Sequence, residues 1–541
     1  MANKKPNIVL FFVDDLGYGD VSAFNPDSKI KTKNIDKLAE AGMKFTDSHA
    51  TSAVCSPSRY GLLTGRYNWR SRLKSYVLPG DSESLIEEDR ETLASMLKKE
   101  GYHTAAVGKW HLGLGWQLFE EKQYEKYGLD PKDFEEFENQ HGRNGVFDPS
   151  EGVFDFEGLD VDFSKPITFG PNQLGFDYFY GTPASLDQPP FVIIENDRVT
   201  QEPDHITGEA NLDRRGDTQQ QLWQNGVAAP NFVHRYVPDM MQNKVLDLIN
   251  EYSESDDPFF IYYPNHLVHQ PIVPTPKYEG KSGIGIYGDF VLQLDGYVGE
   301  IMDKLKEKGI FEDTIFVFTS DNGVSGVAGL DHLKSLGHES SYKFRGTKFD
   351  IWEGGHREPT VVSYPRMIEA GTESDAMVSH SDLYHTVADI LKIQTTDSEG
   401  EDSVSNVPLW TAEKEDVRED IVHSAANGGF SIRRGFWKLV MIKDSGAAFP
   451  TGDSADYYVA SQLFDLRDDI SEEHNVIEEH PELVEKLTRA LEEQIKSGRS
   501  TEGSEQLNNF SNPSGKWDQI QFISNYDEYM EELKTKLQDR K

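Results

Sequence analysis

The sequence predicts an α/β protein: a large, mostly parallel sheet flanked by helices, followed by a smaller C-terminal α+β subdomain with an antiparallel sheet. Three observations carry this expectation. Unbroken apolar runs such as Ile8-Val9-Leu10-Phe11-Phe12-Val13 and Ile315-Phe316-Val317-Phe318 lack polar alternation, the pattern of strands buried on both faces. Segments of helical spacing separate such runs up to about Ile393, and that alternation places helices on both faces of one sheet. The chain has 541 residues, more than one core usually holds, which suits one large unit and a smaller one.

In chain order, the first strand ends abruptly in Asp14-Asp15-Leu16-Gly17, so two carboxylates fall at its carboxyl end. Helices are expected over residues 35–41 and 92–100, the second ended by Gly101 at C′. A strand over 102–107 leads into Gly108-Lys109-Trp110-His111-Leu112-Gly113. Residues 117–224 are rich in Glu, Asp, Gln and Gly and read as long insertions over the mouth of a site, where substrate choice usually lies. Within them, 186–198 reads as an ordered strand with a polar entrance, which makes Gln188 and Arg198 candidate substrate contacts.

A helix over 240–252 precedes an aromatic strand, 258–263, that runs into Pro264-Asn265-His266-Leu267-Val268-His269-Gln270-Pro271. The helix expected over 289–308 carries Phe290, Leu294, Val298, Ile301 and Leu305 on one stripe. Gly283-Ile284-Gly285-Ile286-Tyr287-Gly288 matches a phosphate-loop pattern by spacing but follows no strand, so it reads as an approach to that helix.

The strand at 314–320 ends in Asp321-Asn322-Gly323 and repeats the arrangement at Asp14. Open α/β sheets bind ligands at this edge, so Asp14, Asp15, Asp321 and Asn322 are expected to converge. Three carboxylates would repel one another without a cation, and all-oxygen ligation favours Ca²⁺ or Mg²⁺ over zinc.

Thr, Ser, Asp, Glu and Gly crowd residues 394–402, a linker by composition. The expected division is 1–400, 401–500 and an extension over 501–541. The second part should hold a hairpin over 430–442, a strand over 462–466 and a helix over 481–497. The extension, with Trp517 and a helix near 526–537, carries no role legible in its residues. Asn509-Phe510-Ser511 matches a glycosylation sequon, which chains of this length often contain by chance.

Cys55 is the only cysteine, so it has no intrachain partner for a disulfide, a redox pair or a thiolate metal site. It opens the run Cys55-Ser56-Pro57-Ser58-Arg59-Tyr60-Gly61-Leu62-Leu63-Thr64-Gly65-Arg66. This run resembles the C-x-P-S-R signature of the type I sulfatases, arylsulfatase-like members of the alkaline phosphatase superfamily. Residues 108–113 resemble that family's G-K-W-H-L-G element. Lys348 followed by Glu353-Gly354-Gly355-His356-Arg357-Glu358-Pro359 resembles its lysine and E-G-G-x-R-x-P element. The likeness covers Asn7 to about Asn475 and implies an alkaline-phosphatase-like sandwich.

The resemblance also implies the chemistry. A formylglycine-generating maturation enzyme would oxidise Cys55 to formylglycine, whose hydrate attacks sulfur. Asp14, Asp15, residue 55, Asp321 and Asn322 would hold Ca²⁺, with Mg²⁺ the lesser alternative. Arg59 and Lys109 would hold the diol. His269, supported by Lys348, would protonate the leaving alcohol, and His111 would take the second hydroxyl's proton. His266 competes with His269 for its role. Lys343 lies outside the register of Lys348. Lys343 and Arg345, together with Arg70, Arg72 and Lys74, are candidates for a cationic rim around an anionic substrate.

The function implied is hydrolysis of sulfate esters on a sulfated carbohydrate, such as oligosaccharides from the algal polysaccharides ulvan or carrageenan. A formylglycine-dependent phosphonate or phosphate monoester hydrolase is the rival enzyme, and an unmatured sulfated-glycan binding protein the rival of another class. The formal charge of −39 points away from nucleic acid. It would also repel anionic substrates at low salt, so it suggests a salty habitat where screening is short-ranged. The longest apolar runs, about six residues, are too short for membrane insertion. Residues 1–6 lack a signal-peptide core, so a periplasmic or secreted site is expected with the signal already removed, and the cytoplasm is the alternative.

Overall fold

The computed structural model describes residues 5–130, 158–207, 221, 223–450, 454–509 and 516–539. Its first half runs β1 (Asn7–Val13), α1 (Lys33–Glu40), β2 (Met43–Phe45), β3 (Ser48–His49), α2 (Cys55–Thr64), α3 (Leu93–Lys99), β4 (His103–Lys109) and β5 (Tyr178–Thr182). The short strands β6 (Ile194–Glu195), β7 (Arg198–Val199), β8 (His205–Thr207) and β9 (Gly226–Ala228) follow. Then come α4 (Val237–Tyr252), β10 (Phe259–Pro264), α5 (Ile286–Glu307), β11 (Thr314–Ser320), α6 (Leu330–Ser335), α7 (Glu353–His356), β12 (Thr360–Ser363), β13 (Thr372–Ser374), β14 (Val378–Ser379) and α8 (Leu383–Leu391). The C-terminal part holds α9 (Val407–Trp410), β15 (Asp420–Ser424), β16 (Phe430–Arg434), β17 (Trp437–Val440), β18 (Gln462–Asp465), α10 (Pro481–Ser497) and α11 (Tyr526–Asp539).

A ten-stranded sheet has the order β13-β2-β12-β11-β1-β10-β4-β5-β6-β7, and a separate four-stranded antiparallel sheet the order β15-β16-β17-β18. The centre of the large sheet is parallel: β1 pairs with β10 and β11, β10 with β4, and β4 with β5. All seven residues of β1 are buried because alternate side chains feed opposite cores. Val9, Phe11 and Val13 pack with Leu38, Val245, Leu294 and Ile301 on one face. Ile8, Leu10 and Phe12 pack with Leu62, Leu63, Leu97 and Val387 on the other. The absence of alternation in the sequence therefore has its cause in a sheet covered on both sides.

Two expectations need correction. Residues 186–198 do not form one strand, since Pro189 and Pro190 offer no N–H to a ladder; Phe191 makes only an isolated bridge to Ala228, and the short β6 and β7 form a hairpin that joins the sheet edge through β5. The segment 394–402 is not a loose linker at its end. Glu401 and Asp402 are buried, Asp402 paired with Arg70 at 2.8 Å and Glu401 with Arg66 at 3.2 Å and Arg90 at 2.9 Å. The extension is packed: Trp517 is buried against Trp69, and Met530 and Leu533 of α11 join Leu487, Leu491 and Ile495 of α10 in one core. The glycine-rich approach stands as read, with Gly285 at φ 102° leading into α5. The sequon lies partly outside the described residues.

The antiparallel sheet is fastened to the loop that precedes Cys55. Ala53 N–H donates to the Ser424 carbonyl at 3.0 Å, Phe349 N–H to the Ala53 carbonyl at 2.9 Å, and Ala426 N–H to the Phe349 carbonyl at 3.0 Å. Behind these bonds Lys438 of β17 is buried between Glu353 at 3.0 Å and Glu472 at 2.9 Å. His49, His356 and His423 cluster beside it. The rings of His356 and His423 stack at 3.8 Å and 13°, so their in-plane lone pairs do not converge on one ion. The Lys438 ammonium, 3.2 Å from His356 Nε2, supplies the cation there.

Candidate active site

Cys55 is the first residue of α2 and is buried. The helix starts there because Pro57 sits in the first turn, where a missing N–H costs nothing, and it stops at Gly65, whose φ is 63°. Gly61 lets it lie against the preceding loop: a Cβ there would stand 2.4 Å from Thr51 Oγ1. Burial pushes the Cys55 thiol up to about 12, with the Lys109 and Lys348 ammoniums pulling the other way. As a thiol it is therefore neutral and a poor nucleophile near pH 7.

Parallel pairing of β1 with β11 brings Val13 level with Ser320, so the residues that follow emerge side by side. Asp321 N–H donates to the Val13 carbonyl at 2.9 Å, and Asp15 N–H to Asp321 Oδ1 at 3.2 Å. Asp15 has φ 61°, a sharp turn immediately after the strand. Asn322 Nδ2 donates to Asp15 Oδ1 at 2.7 Å.

Each carboxylate meets a side-chain cation. Lys109, the last residue of β4, lies 2.8 Å from Asp14 Oδ2, and Lys348 lies 2.7 Å from Asp15 Oδ1. Arg59, one turn into α2, reaches Asp321 Oδ2 at 2.6 Å and Asp14 Oδ1 at 3.5 Å. The expected mutual repulsion is thus offset by the protein itself, and it does not by itself demand a metal.

Burial raises Asp14, but Lys109, His269, Arg59 and Lys348 outweigh it and hold the carboxyl well below its usual range. Burial and the Asp14 charge push Asp321 up to about 6, against Arg59 and Lys109. Burial would lower Lys348, yet Asp15 and its neighbours hold it above its ordinary value.

The donor set fits a hard cation. Asp14 Oδ1 and Asn322 Oδ1 are buried oxygens without a hydrogen-bond donor, an uncommon state for buried oxygen. Ligand atoms of Asp14, Asp15, Cys55 and His269 lie within 4.8 Å of one another, a set that includes His269 and leaves out Asp321. The His269 ring is already directed elsewhere: Nδ1–H donates to the Gln270 carbonyl at 2.8 Å, and Nε2 stands 3.6 Å from Asp15 Oδ2. Oxygen ligation by Asp14, Asp15, Asp321 and Asn322 is the better match to the coordination a calcium-sized ion takes.

Two other histidines surround the centre. His111 Nε2–H donates to the Leu78 carbonyl at 2.9 Å, while Nδ1 has no partner. Burial, then the Lys109 and Arg59 charges, holds His111 well below its ordinary value. The Thr182 hydroxyl donates to the Ala184 carbonyl, so His266 Nε2–H donates to Thr182 Oγ1, at 2.8 Å. Burial pushes His266 down to about 3.

Gln188 is buried and accepts from the Ser185 hydroxyl at 3.3 Å. Its neighbour Asp187, which sequence reasoning missed, stands nearer the chemistry: 3.7 Å from His269 Nδ1 and 2.7 Å from Gln270 Nε2. His234, also missed, stacks on Trp223 at 4.0 Å with a buried, partnerless Nε2. Burial pushes it down to about 3 against the Asp187 charge. The polar entrance before Pro189 was the available signal, but the turn that selects Asp187 was not legible. Glu358, buried with both oxygens partnerless, is a third missed residue, raised well above its ordinary value by burial and by Asp321 and Asp15.

Arg198 sits on the outermost strand and donates to the Ser164 carbonyl. Lys343 and Arg345 line a separate cavity. Arg70 and Lys74 form no rim: Arg70 is buried against Asp402, and Lys74 donates to the Trp69 and Asn509 carbonyls, 3.5 Å from the Trp517 ring. Arg72 is half-buried and donates to the Glu83 carbonyl. Their spacing near Cys55 suggested a rim, but α2 turns them toward the extension.

The sheet order and this edge define an alkaline-phosphatase-like hydrolase fold. The family model described as Sulfatase matches residues 6–393. The chain belongs to the sulfatase family, whose members are sulfuric ester hydrolases. It is 33% identical over 521 residues to an N-acetylgalactosamine-6-O-sulfatase of Bacteroides thetaiotaomicron, covering 91% of this chain and 93% of that protein. Arylsulfatase A of Bos taurus is 29% identical, covering 91% of this chain and 87% of that protein. A solved 6S-sulfatase structure from work on glycosaminoglycan metabolism by Bacteroides thetaiotaomicron superposes with TM-score 0.73 at 31% identity, covering 91% of this chain and 99% of that one. A structure solved in complex with a neocarrahexaose shares the fold, with TM-score 0.63 at 22% identity, covering 97% and 99% of the two chains. No helix among the described residues is long and apolar enough to cross a membrane.

Proposed function

We propose that this protein releases sulfate from the 6-position of a galactose-type sugar in a sulfated glycan, using formylglycine made from Cys55. The observation that carries the reading is Cys55 itself, a non-nucleophilic buried thiol in reach of Asp14, Asp15 and His269. The sugar follows from the 33% identical relative, named for N-acetylgalactosamine 6-O-sulfate. Algal galactans such as carrageenan carry sugars of the same type, whereas ulvan fits less well.

In this reading a maturation enzyme converts Cys55 before catalysis. Formylglycine at residue 55, once hydrated, would supply an ionised hydroxyl as the nucleophile for sulfur, its proton lost to solvent, and His269 would deliver a proton to the departing sugar oxygen. Lys348 steadies that end of the site through Asp15. Arg59 and Lys109 fix the hydrate against Asp14 and Asp321. His111, whose Nδ1 has no partner, would take a proton from residue 55 as sulfate is released. A divalent cation held by Asp14, Asp15, Asp321 and Asn322, calcium ahead of magnesium, would polarise the sulfate oxygens. Asp187, held by Ser185 and Gln270 and 3.7 Å from His269 Nδ1, would position the His269 ring. The substrate places the enzyme in the periplasm or outside the cell, which fractionation of the source cells would check.

Matured protein assayed against N-acetylgalactosamine 6-sulfate, galactose 6-sulfate, glucosamine 6-sulfate and carrageenan and ulvan oligosaccharides should release sulfate from the first two. Cys55→Ala should release none while folding normally, and an aldehyde-reactive probe should label only the parent at residue 55. Release from ulvan alone would overturn the sugar assignment. Faster cleavage of a matched phosphonate ester would overturn the sulfatase reading.

A further inference from the structure

A second cavity, of about 600 Å³, opens between residues 334–345 and the loop carrying Ser471 and Glu473. Its lining holds three cations, Lys334, Lys343 and Arg345, against two carboxylates, Glu339 and Glu473. In a chain of formal charge −39 this local excess reverses the global sign. Lys334 is partly neutralised by Glu339 at 3.4 Å, which leaves Lys343 and Arg345 as the cations facing the space.

Arg345 is held in place from several sides. Its guanidinium lies 3.6 Å from the Trp352 ring centre, its Nη1 donates to the Glu472 carbonyl at 2.7 Å, and its own carbonyl accepts from Gly354 N–H at 2.7 Å. A guanidinium held over an indole, with Nη1 engaged by one carbonyl, keeps further N–H groups for recognition of sulfate or carboxylate. Lys343 is exposed, 5.0 Å from the Tyr342 ring centre, and loses little on turning toward a ligand.

The cavity, although separate, is near the reacting centre along the chain. Arg345 precedes Lys348 by three residues, at most roughly 10 Å of extended chain. The Tyr342 ring packs on Tyr18 at 5.8 Å, and Tyr18 follows Asp15 by three residues. One segment that walls the cavity therefore leads into the site's lysine, and it packs on the segment that follows the site's carboxylates.

We propose that this cavity is an anion subsite for a neighbouring sugar of the glycan whose sulfate ester is cleaved, with Arg345 and Lys343 reading that sugar's sulfate or carboxylate. The identity of the glycan rests on the sulfatase reading above. Glu339 and Glu473 accept sugar hydroxyls, and they make the lining unsuited to a continuous polyanion such as a nucleic acid strand.

The test is titration calorimetry on the full chain carrying Cys55→Ala, so that no ligand turns over. The probes are N-acetylgalactosamine 6-sulfate and a chondroitin 6-sulfate tetrasaccharide. Arg345→Ala and Lys343→Ala should each raise the ratio of tetrasaccharide Kd to monosaccharide Kd about tenfold, the loss of one charge-assisted contact. Lys343 is exposed, so its variant keeps the test open should Arg345→Ala fold poorly. Tetrasaccharides lacking the neighbouring sulfate, or with the neighbouring carboxyl reduced, should show which anion is read by abolishing the effect. An unchanged ratio in Lys343→Ala, or an effect that survives both modifications, would overturn the subsite. Sulfate release from the monosaccharide by matured parent protein tests the sulfatase reading separately, since tetrasaccharide binding does not require it.

Discussion

His269 and His266 stand three residues apart on one loop, and the structure separates their roles sharply enough to test. His266 is buried, its Nε2–H engaged by Thr182, and it is pushed down to about 3. At pH 7 only about one such ring in ten thousand carries the extra proton, so it has almost none to give a leaving alcohol. His269 keeps Nε2 on the side of Asp15, with Nδ1–H committed to the Gln270 carbonyl. General acid catalysis contributes roughly 10²–10⁴-fold, so His269→Ala should lower kcat on a sugar 6-sulfate by that range. On p-nitrophenyl sulfate, whose phenolate leaves without help, the loss should stay below roughly tenfold, because only the acid's contribution has been removed. His266→Gln removes one hydrogen bond worth about 1 kcal/mol and should change kcat less than about fivefold on either ester. The assay is initial-rate sulfate release on both substrates for both variants. Equal losses for the two histidines, or equal losses of His269→Ala on the two esters, would refute the assignment.

Three further outcomes follow from the same geometry. Lys438→Met leaves Glu353 and Glu472 buried beside fewer cations and should cost about 3–5 kcal/mol, visible as a lower denaturation midpoint; an unshifted midpoint would show the dock is slack. Burial holds His49 below, and His356 and His423 well below, the ordinary histidine value. The unfolded rings take up protons below about pH 6.5 while the folded ones do not, so each contributes stability that is lost as pH falls from there, about 1.4 kcal/mol per pH unit. His423→Asn should flatten the acid limb of a melting curve by about one proton. Dialysis against a chelator should lower sulfate release at least about 100-fold, restored better by Ca²⁺ than by Mg²⁺, and Asp321→Asn should require more calcium.

The strands and helices that bear the site were legible because burial on both faces leaves no charged residue in β1, β10 or β11, and because the stripe on α5 repeats at helical spacing. Their carboxyl ends then located Asp14, Asp15, Asp321 and Asn322. The cations were legible only through the family resemblance, since nothing in the spacing of Lys109 or Lys348 says which carboxylate each will meet. Asp187, His234 and Glu358 were not legible at all. They are placed by turns and by contacts between segments far apart in the chain, and hydropathy patterns carry no record of those. Arg70 and Lys74 misled for a related reason: a charged residue near the nucleophile reads as a rim, whereas here Asp402 and the extension bury both.

The smaller sheet does more than follow the catalytic one. The loop before Cys55 carries no regular hydrogen bonding to the large sheet at Ala53; that residue is held instead by Ser424 on one side and by Phe349 on the other. Phe349 is the residue after Lys348, and its carbonyl in turn accepts from Ala426. Cys55 and Lys348 therefore take their relative positions from a three-way junction in which the C-terminal part supplies two of the six backbone groups, the Ser424 carbonyl at the end of β15 and the Ala426 N–H just after it. A nucleophile and the lysine that steadies its acid partner must keep their separation to within a fraction of an ångström for the chemistry to be efficient. The ion pairs behind the junction explain how a mostly polar contact can hold its shape: Lys438 is buried between Glu353 and Glu472, Arg433 also reaches Glu353, and displacing the lysine strands both carboxylates. It follows that the C-terminal sheet belongs to the active site in mechanical terms, although the family model that identifies the chain ends at residue 393.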